Sequence, residues 1–168
     1  MDDSSRSFKA ETGRFQLLSC SRDSLSLGRL FYARSRSYLK AHMILSSLDD
    51  KEIKHPAAYM FCHAIELALK SFLFSRGSSA GTVYKIGHRT DELMHEAIKN
   101  GLSLDESAVT CILNVAKNND ASGGQLRYPT GELEFLFSSP RSYLFIDQIL
   151  ASAAANFERG GAEGGQST

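Results

Sequence analysis

The stretch 56–75 constrains the fold more than any other part of the chain, because it is apolar on two sides of a helix at once. At ~100° per residue, Ala58, Phe61, Ala68, Leu69 and Phe72 fall within ~60° of Ile65 and form one apolar face. Met60, Leu67 and Phe74 recur at steps of seven on roughly the opposite side. Between the two faces lies a narrow polar line of Tyr59, His63, Glu66 and Lys70. A helix of this kind is central in its domain or shared with a partner, since either face left bare would expose a continuous apolar patch. Its polar line is then shielded from water, and shielded polar groups need partners. Glu66 and Lys70, four residues apart, suit one another as an ion pair.

Other segments carry the same helical period. After Asp23 or Ser24, either of which can cap a helix, apolar residues recur at Leu27, Leu30, Phe31, Tyr38, Ala41, Leu45 and Leu48. Arg34 shares that face, and the pattern stops near Asp49 and Asp50, which the carbonyl end of a helix disfavours. Pro56 suits the first turn of the second helix. Residues 77–87, with three glycines and two serines, predict a loop. A third helix is expected from His88 or Thr90 to just before Gly101, with Asp91 and Glu92 in its first turn and Lys99 in its last. A fourth is expected over 105–117, with Val109, Ile112, Leu113 and Ala116 inward. A fifth is expected over 140–157, with Tyr143, Ile146, Leu150, Ala153 and Phe157 inward. Residues 118–137 form a long connection of the sort that often carries function. Residues 1–22 lack a clear period and are expected to be loose, with a short strand or turn at 15–18. The Gly-rich tail 159–168 is expected to be disordered. The fold class is therefore all-α, an up-and-down bundle of four to five helices over residues 23–158.

Composition bounds what such a bundle does. In 168 residues, 42 % hydrophobic, there is material for one core. The formal net charge of zero gives no global field to draw the chain to nucleic acid or membrane, though a local basic groove stays open. Cys20, Cys62 and Cys111 are odd in number and widely spaced, which argues against a disulfide framework and for a reducing compartment. The acidic, polar start is unlike a signal peptide, and no apolar run approaches a membrane span, so the cytoplasm is the expected location. Phosphate-loop, dinucleotide-binding, nucleophile-elbow and Cys-x-x-Cys patterns are all missing, so no cofactor is expected.

Three elements in order carry a resemblance. They are the run His63-Ala-Ile-Glu66-Leu-Ala-Leu-Lys70, then Gly87-His88 opening the next helix, then Arg127-Tyr128-Pro129. Together, over roughly residues 56–129, they resemble HEPN domains (higher eukaryotes and prokaryotes nucleotide-binding). The resemblance implies a four- or five-helix bundle, often a homodimer. It implies one of two classes of activity: a metal-independent endoribonuclease of toxin–antitoxin or defence type, or a non-catalytic module that binds a nucleotide, nucleic acid or protein. The line Met60, Leu67 and Phe74 offers a place for the dimer contact. In the nuclease class an Arg stabilises phosphate charge and a His after four to six positions exchanges protons. Here Arg89 and His95, with five residues between them, have that spacing, but they overlap the Gly-His element instead of following it on a later helix.

Each candidate has a plain structural role beside its functional one. His63, Glu66, Lys70 and His88 form either internal cement or a polar ligand site, with His88 expected to reach Glu66 or the Tyr59/His63 line. Arg127 either pins its loop or binds an anion. Arg89 and His95 form either a catalytic pair or part of a solvated stripe with Glu92 and Lys99. His88, Asp91 and His95 share a face, yet nothing completes a metal site around them, and no metal is expected.

Overall fold

A computed structural model describes residues 23–119 and 141–163. Among these residues six α-helices follow one another: α1 (Ser24–Ser46), α2 (Lys54–Ser75), α3 (Ala80–Ile86), α4 (Thr90–Lys99), α5 (Glu106–Asn119) and α6 (Arg141–Glu163). A 3-10 turn, Lys51–Ile53, leads into α2. The all-α bundle is thus the architecture of the described residues, and none of them is in a strand. Residues 1–22, with the strand or turn expected at 15–18, residues 120–140, with Arg127 and most of the expected long connection, and residues 164–168 lie outside the described residues.

Helix α2 is the axis, and every other helix packs on it. From Ala64 to Ser75 it is buried all round. This corrects the expectation that no apolar run approaches a membrane span: the stretch Lys51–Ser75 is long and apolar enough to cross one, but 83 % of its most apolar window is buried inside the bundle. Phe61, Ile65, Leu69 and Leu73 meet Leu93 and Met94 of α4, Ile112 and Val115 of α5, and Ile146 and Ile149 of α6 in one core.

The largest interface joins α1 to α2, and its seam is made of small and polar residues. The buried positions of α1 are Gly28, Ser35, Leu39 and His42. The Ser35 hydroxyl donates to the Ala64 carbonyl (2.8 Å), and His42 Nδ1 donates to the Ala57 carbonyl (2.8 Å). Ser71, from the other side, donates to the Gly28 carbonyl (2.9 Å). Gly28, Ser35 and His42 are seven apart, as are Ala57, Ala64 and Ser71, and their pairing runs antiparallel. Seven-residue spacing keeps one stripe facing a neighbour along its length. Small side chains there let the two backbones approach. Each of the three bonds contributes roughly 1 kcal/mol net, and losing one partner would strand a buried polar group at a cost of ~1–3 kcal/mol.

The seam corrects the inward face expected for α1. Leu30 (46 %) is well exposed, because the seam rotates the helix towards Gly28 and Ser35, and Leu48 (53 %) is exposed because it lies beyond the end of α1 at Ser46. Arg34 is exposed as well. The line Met60, Leu67 and Phe74 is also corrected: Phe74 is fully buried and stacks on Phe31 of α1 with ring centroids 5.5 Å apart, and Leu67 is buried. Leu67 and Phe74 are therefore closed to any partner chain, and only Met60 of that line is partly exposed. Further differences are local. Residues 80–86, expected as loop, form α3, because Ser79 caps it by accepting from the Thr82 amide (3.1 Å) and Val83 is fully buried in the core. Leu113, expected inward, is 40 % exposed. Helix α6 runs past Gly160 to Glu163, so the first part of the expected disordered tail is helical. Its glycines cost roughly 1 kcal/mol each relative to alanine without removing a backbone donor. The cap at Asp23 is as expected, its carboxylate accepting from the Ser26 amide (2.6 Å).

Two outcomes are expected from the seam. A Cβ built on Gly28 falls 2.7 Å from the Phe157 ring and 3.2 Å from Phe74 Cβ. The ring has little room to yield, being held edge-on by Tyr32 and under the Arg29 guanidinium. Gly28→Ala gains about 1 kcal/mol of helix propensity and incurs about 1–3 kcal/mol of overpacking. A net loss of about 1 kcal/mol in urea denaturation is expected, and unchanged stability would mean the seam has slack. Buried His42 accepts nothing at Nδ1, which donates to Ala57, so Nε2 is left as acceptor for the Tyr143 hydroxyl (3.2 Å). Burial holds its pKa below the ordinary 6.5, outweighing the opposing bond to Ala57. The neutral ring is thus the folded form, and its contribution is lost as pH falls through 6.5 towards the lowered value. His42→Asn, which keeps a donor for the Ala57 carbonyl, should flatten this acid-side slope relative to wild type, as read by melting temperature across that range.

Candidate functional site

The polar line of α2 converges on Glu66. Its side chain is 2 % exposed, among the least exposed polar groups described. Lys70 Nζ, one turn on, donates to Oε1 at 2.7 Å, and His88 Nδ1 donates to the same oxygen at 2.9 Å. His63 Nδ1 faces the other oxygen, Oε2, at the longer distance of 3.6 Å. Burial pushes the Glu66 pKa up. His63, Lys70 and His88 more than offset that and hold it at about 2. The carboxylate is therefore ionised at neutral pH, compensated chiefly by the Lys70 ammonium, itself buried.

Local sequence explains how the partners arrive. His63, Glu66 and Lys70 sit at intervals of three and four, so α2 alone brings them to one face. His88 comes from elsewhere in the chain. Gly87, at φ +72°, ends α3 in a conformation that side-chain-bearing residues rarely adopt, and its amide still donates to the Val83 carbonyl (3.2 Å). The turn delivers His88 back onto α2 just before α4 begins at Thr90.

The geometry leaves one chemically free edge. An ionised carboxylate only accepts, so His88 carries its proton on Nδ1. Nε2 lies on the opposite side of the ring, and the His88 side chain is 63 % exposed. A buried carboxylate thus orients an imidazole whose outer nitrogen meets solvent, an arrangement suited to hydrogen-bond recognition or proton exchange. His63 is held differently, edge-on against Tyr38 (centroids 4.4 Å) and parallel to Tyr59 (6.0 Å). Tyr38 was legible in the sequence only as an apolar position of α1. Nothing in its spacing linked it to a residue of α2.

Arg89 and His95 are not brought together. Arg89 Nε and Nη2 donate to the carbonyls of Ile86 and Lys85 (both 2.9 Å), closing the end of α3, and Nη1 pairs with Glu92 at 2.9 Å. His95 is exposed, as are Glu92 and Lys99. Among the described residues no hydrogen bond or ion pair joins Arg89 to His95, and no group of three metal-ligating side chains occurs. Cys62 is buried and Cys111 partly so, and burial pushes the Cys111 thiol pKa up, away from a reactive thiolate. Arg127 lies outside the described residues. No family model, curated protein or solved structure matches the chain.

The ion pair makes a prediction with a definite sign. A folded pKa of about 2 against an ordinary 4.5 means that ionised Glu66 stabilises the fold above pH 4.5, and that this is lost as pH falls towards 2. The contribution is about 3 kcal/mol. Glu66→Gln strands buried Lys70 and should cost about 3–5 kcal/mol at neutral pH. The gap between wild type and variant should narrow on acidification through that window, as followed by urea denaturation. A pH-independent gap would show that Glu66 is not ionised in the fold.

Proposed function

We propose that the chain is a HEPN-like binding module without catalysis of its own, homodimeric, taking a nucleotide or RNA segment on the face that presents His88. One observation supports this above the others: a buried, ionised Glu66 holds an imidazole that is itself mostly in solvent. Burying a charge is costly, and Lys70 already supplies the neutralising partner. Cement for the core has no use for a second donor exposed at the surface. An outward Nε2 suits a phosphate oxygen or a base edge, and the neighbouring rings of Tyr38, His63 and Tyr59, all half-buried, suit base stacking. A protein partner is the other occupant for the same face. The ribonuclease alternative has less support, because the Arg89 guanidinium is committed to Glu92 and to the carbonyls of α3.

The test uses a mixed labelled RNA pool with EDTA present, incubated with wild type, His88→Ala and His95→Ala. Retention of RNA by wild type without cleavage is expected, weakened at least about tenfold in His88→Ala, a difference of ~1.4 kcal/mol. His88 is exposed, so the helical circular dichroism of that variant should match wild type. Cleavage that survives EDTA and vanishes in His95→Ala would replace this proposal with the nuclease. RNA retention equal in all three proteins, or no retention at all, would leave the Glu66 cluster with a structural role or a protein partner.

A further inference from the structure

A second cleft lies away from Glu66, between the end of α2 and the outer face of α6. Its volume is about 510 Å³, within the range of about 300–1,000 Å³ typical of small-molecule sites. Ala151 and Ala155 supply apolar surface over a floor of buried Phe72, and Gln148, Ser152 and Asn156 supply polar side chains. Arg76 and Arg159 are its charged residues, and no carboxylate lines it among the described residues.

The polar side chains are largely committed to the protein. Gln148 Nε2 donates to the Ser103 carbonyl (3.1 Å), Ser152 Oγ to the Gln148 carbonyl (2.9 Å), and Asn156 Nδ2 to Ser75 Oγ (3.0 Å). The arginines are committed by one atom each. Arg76 Nε donates to the Asn100 carbonyl at the end of α4 (3.1 Å), and Arg159 Nε donates to the Ala155 carbonyl one turn back (3.2 Å). Neither has a salt bridge among the described residues, and their Nη groups make no hydrogen bond there. A guanidinium tethered through Nε is pre-oriented while its two Nη groups keep four N–H donors in a planar fork. That fork matches the paired oxygens of a phosphate. Pre-orientation lowers the ordering cost that long side chains otherwise add to binding.

We propose that this cleft binds a small phosphate-bearing molecule, with Arg76 and Arg159 gripping the phosphate and Ala151 and Ala155 taking an apolar portion. Two guanidinium groups with no carboxylate paired to them among the described residues favour a dianion. The bounded volume and apolar surface favour a small ligand over a nucleic-acid strand, which would need a longer basic track. The site is independent of the His88 face and shares no residue with it.

Isothermal titration of the whole chain with inorganic pyrophosphate tests the proposal, with Arg76→Gln, Arg159→Gln and Arg36→Gln in parallel. Arg36 is exposed on α1 and controls for the loss of one positive charge. Saturable binding to wild type is expected, weakened about tenfold or more by each cleft variant and unchanged by Arg36→Gln. Arg76→Lys, which keeps the charge without the fork, should fall in between. Helical circular dichroism of every variant reports whether it is folded, and Arg159→Gln alone decides the matter if Arg76→Gln is not. Absence of saturable binding, equal weakening in Arg36→Gln, or tighter Arg76-dependent binding of a short polyuridine strand would each overturn the proposal.

Discussion

The bundle depends on how closely α1 can approach α2. Three side-chain-to-carbonyl bonds, at Ser35, His42 and Ser71, hold the pair in register, and Gly28 leaves no room for a methyl group where α1, α2 and α6 meet. Once α1 covers one side of α2, the opposite side is left to α4, α5 and α6, and the rotation of α2 is set. That rotation decides which of its residues reach the surface. Glu66 and Lys70 are held within the protein, and His63 is left at its edge between two tyrosines.

Glu66 is the second constraint, and it works against the first. An apolar core disfavours a carboxylate, and this one stays ionised only because donors arrive from its own helix and from the turn before α4. A buried ion pair adds little stability compared with apolar residues of the same shape. What it provides instead is direction. Two donors on Oε1 fix the carboxylate plane, and the plane fixes the ring of His88.

Much of this was legible in the sequence, for identifiable reasons. Helical period marked five of the six helices, because long helices packed on a core repeat apolar residues often enough to be read. Helix α3 escaped because seven residues hold fewer than two turns, with Gly81 inside it and Gly77 and Gly87 on either side. The inward face of α1 was misjudged because its seam consists of glycine, serine and histidine, which hydropathy does not flag; only their seven-residue spacing, matched by Ala57, Ala64 and Ser71, carries the signal. The two-faced character of α2 correctly marked it as central, but could not say whether a partner or its own chain covered the second face. Phe31 answers that for Phe74. The contact of His88 with Glu66 was foreshadowed by polarity alone, whereas Tyr38 and the Arg76/Arg159 cleft depend on which helices become neighbours, and no local pattern encodes that.

Helix α3 has a consequence for the imidazole it leads to. Seven residues are far below the ~12–15 at which a helix begins to hold its own shape in water, so α3 persists only through its cap at Ser79, its anchor Val83 and the Arg89 clasp on its last carbonyls. Each of these is lighter than the packing that holds α2. The threshold for opening α3 therefore lies below that for melting the bundle. Hydrogen exchange at residues 80–88 would run on a faster clock than in the core. His88 belongs to that faster clock while Glu66 belongs to the slower one, so the site can come apart and reassemble without the fold being lost.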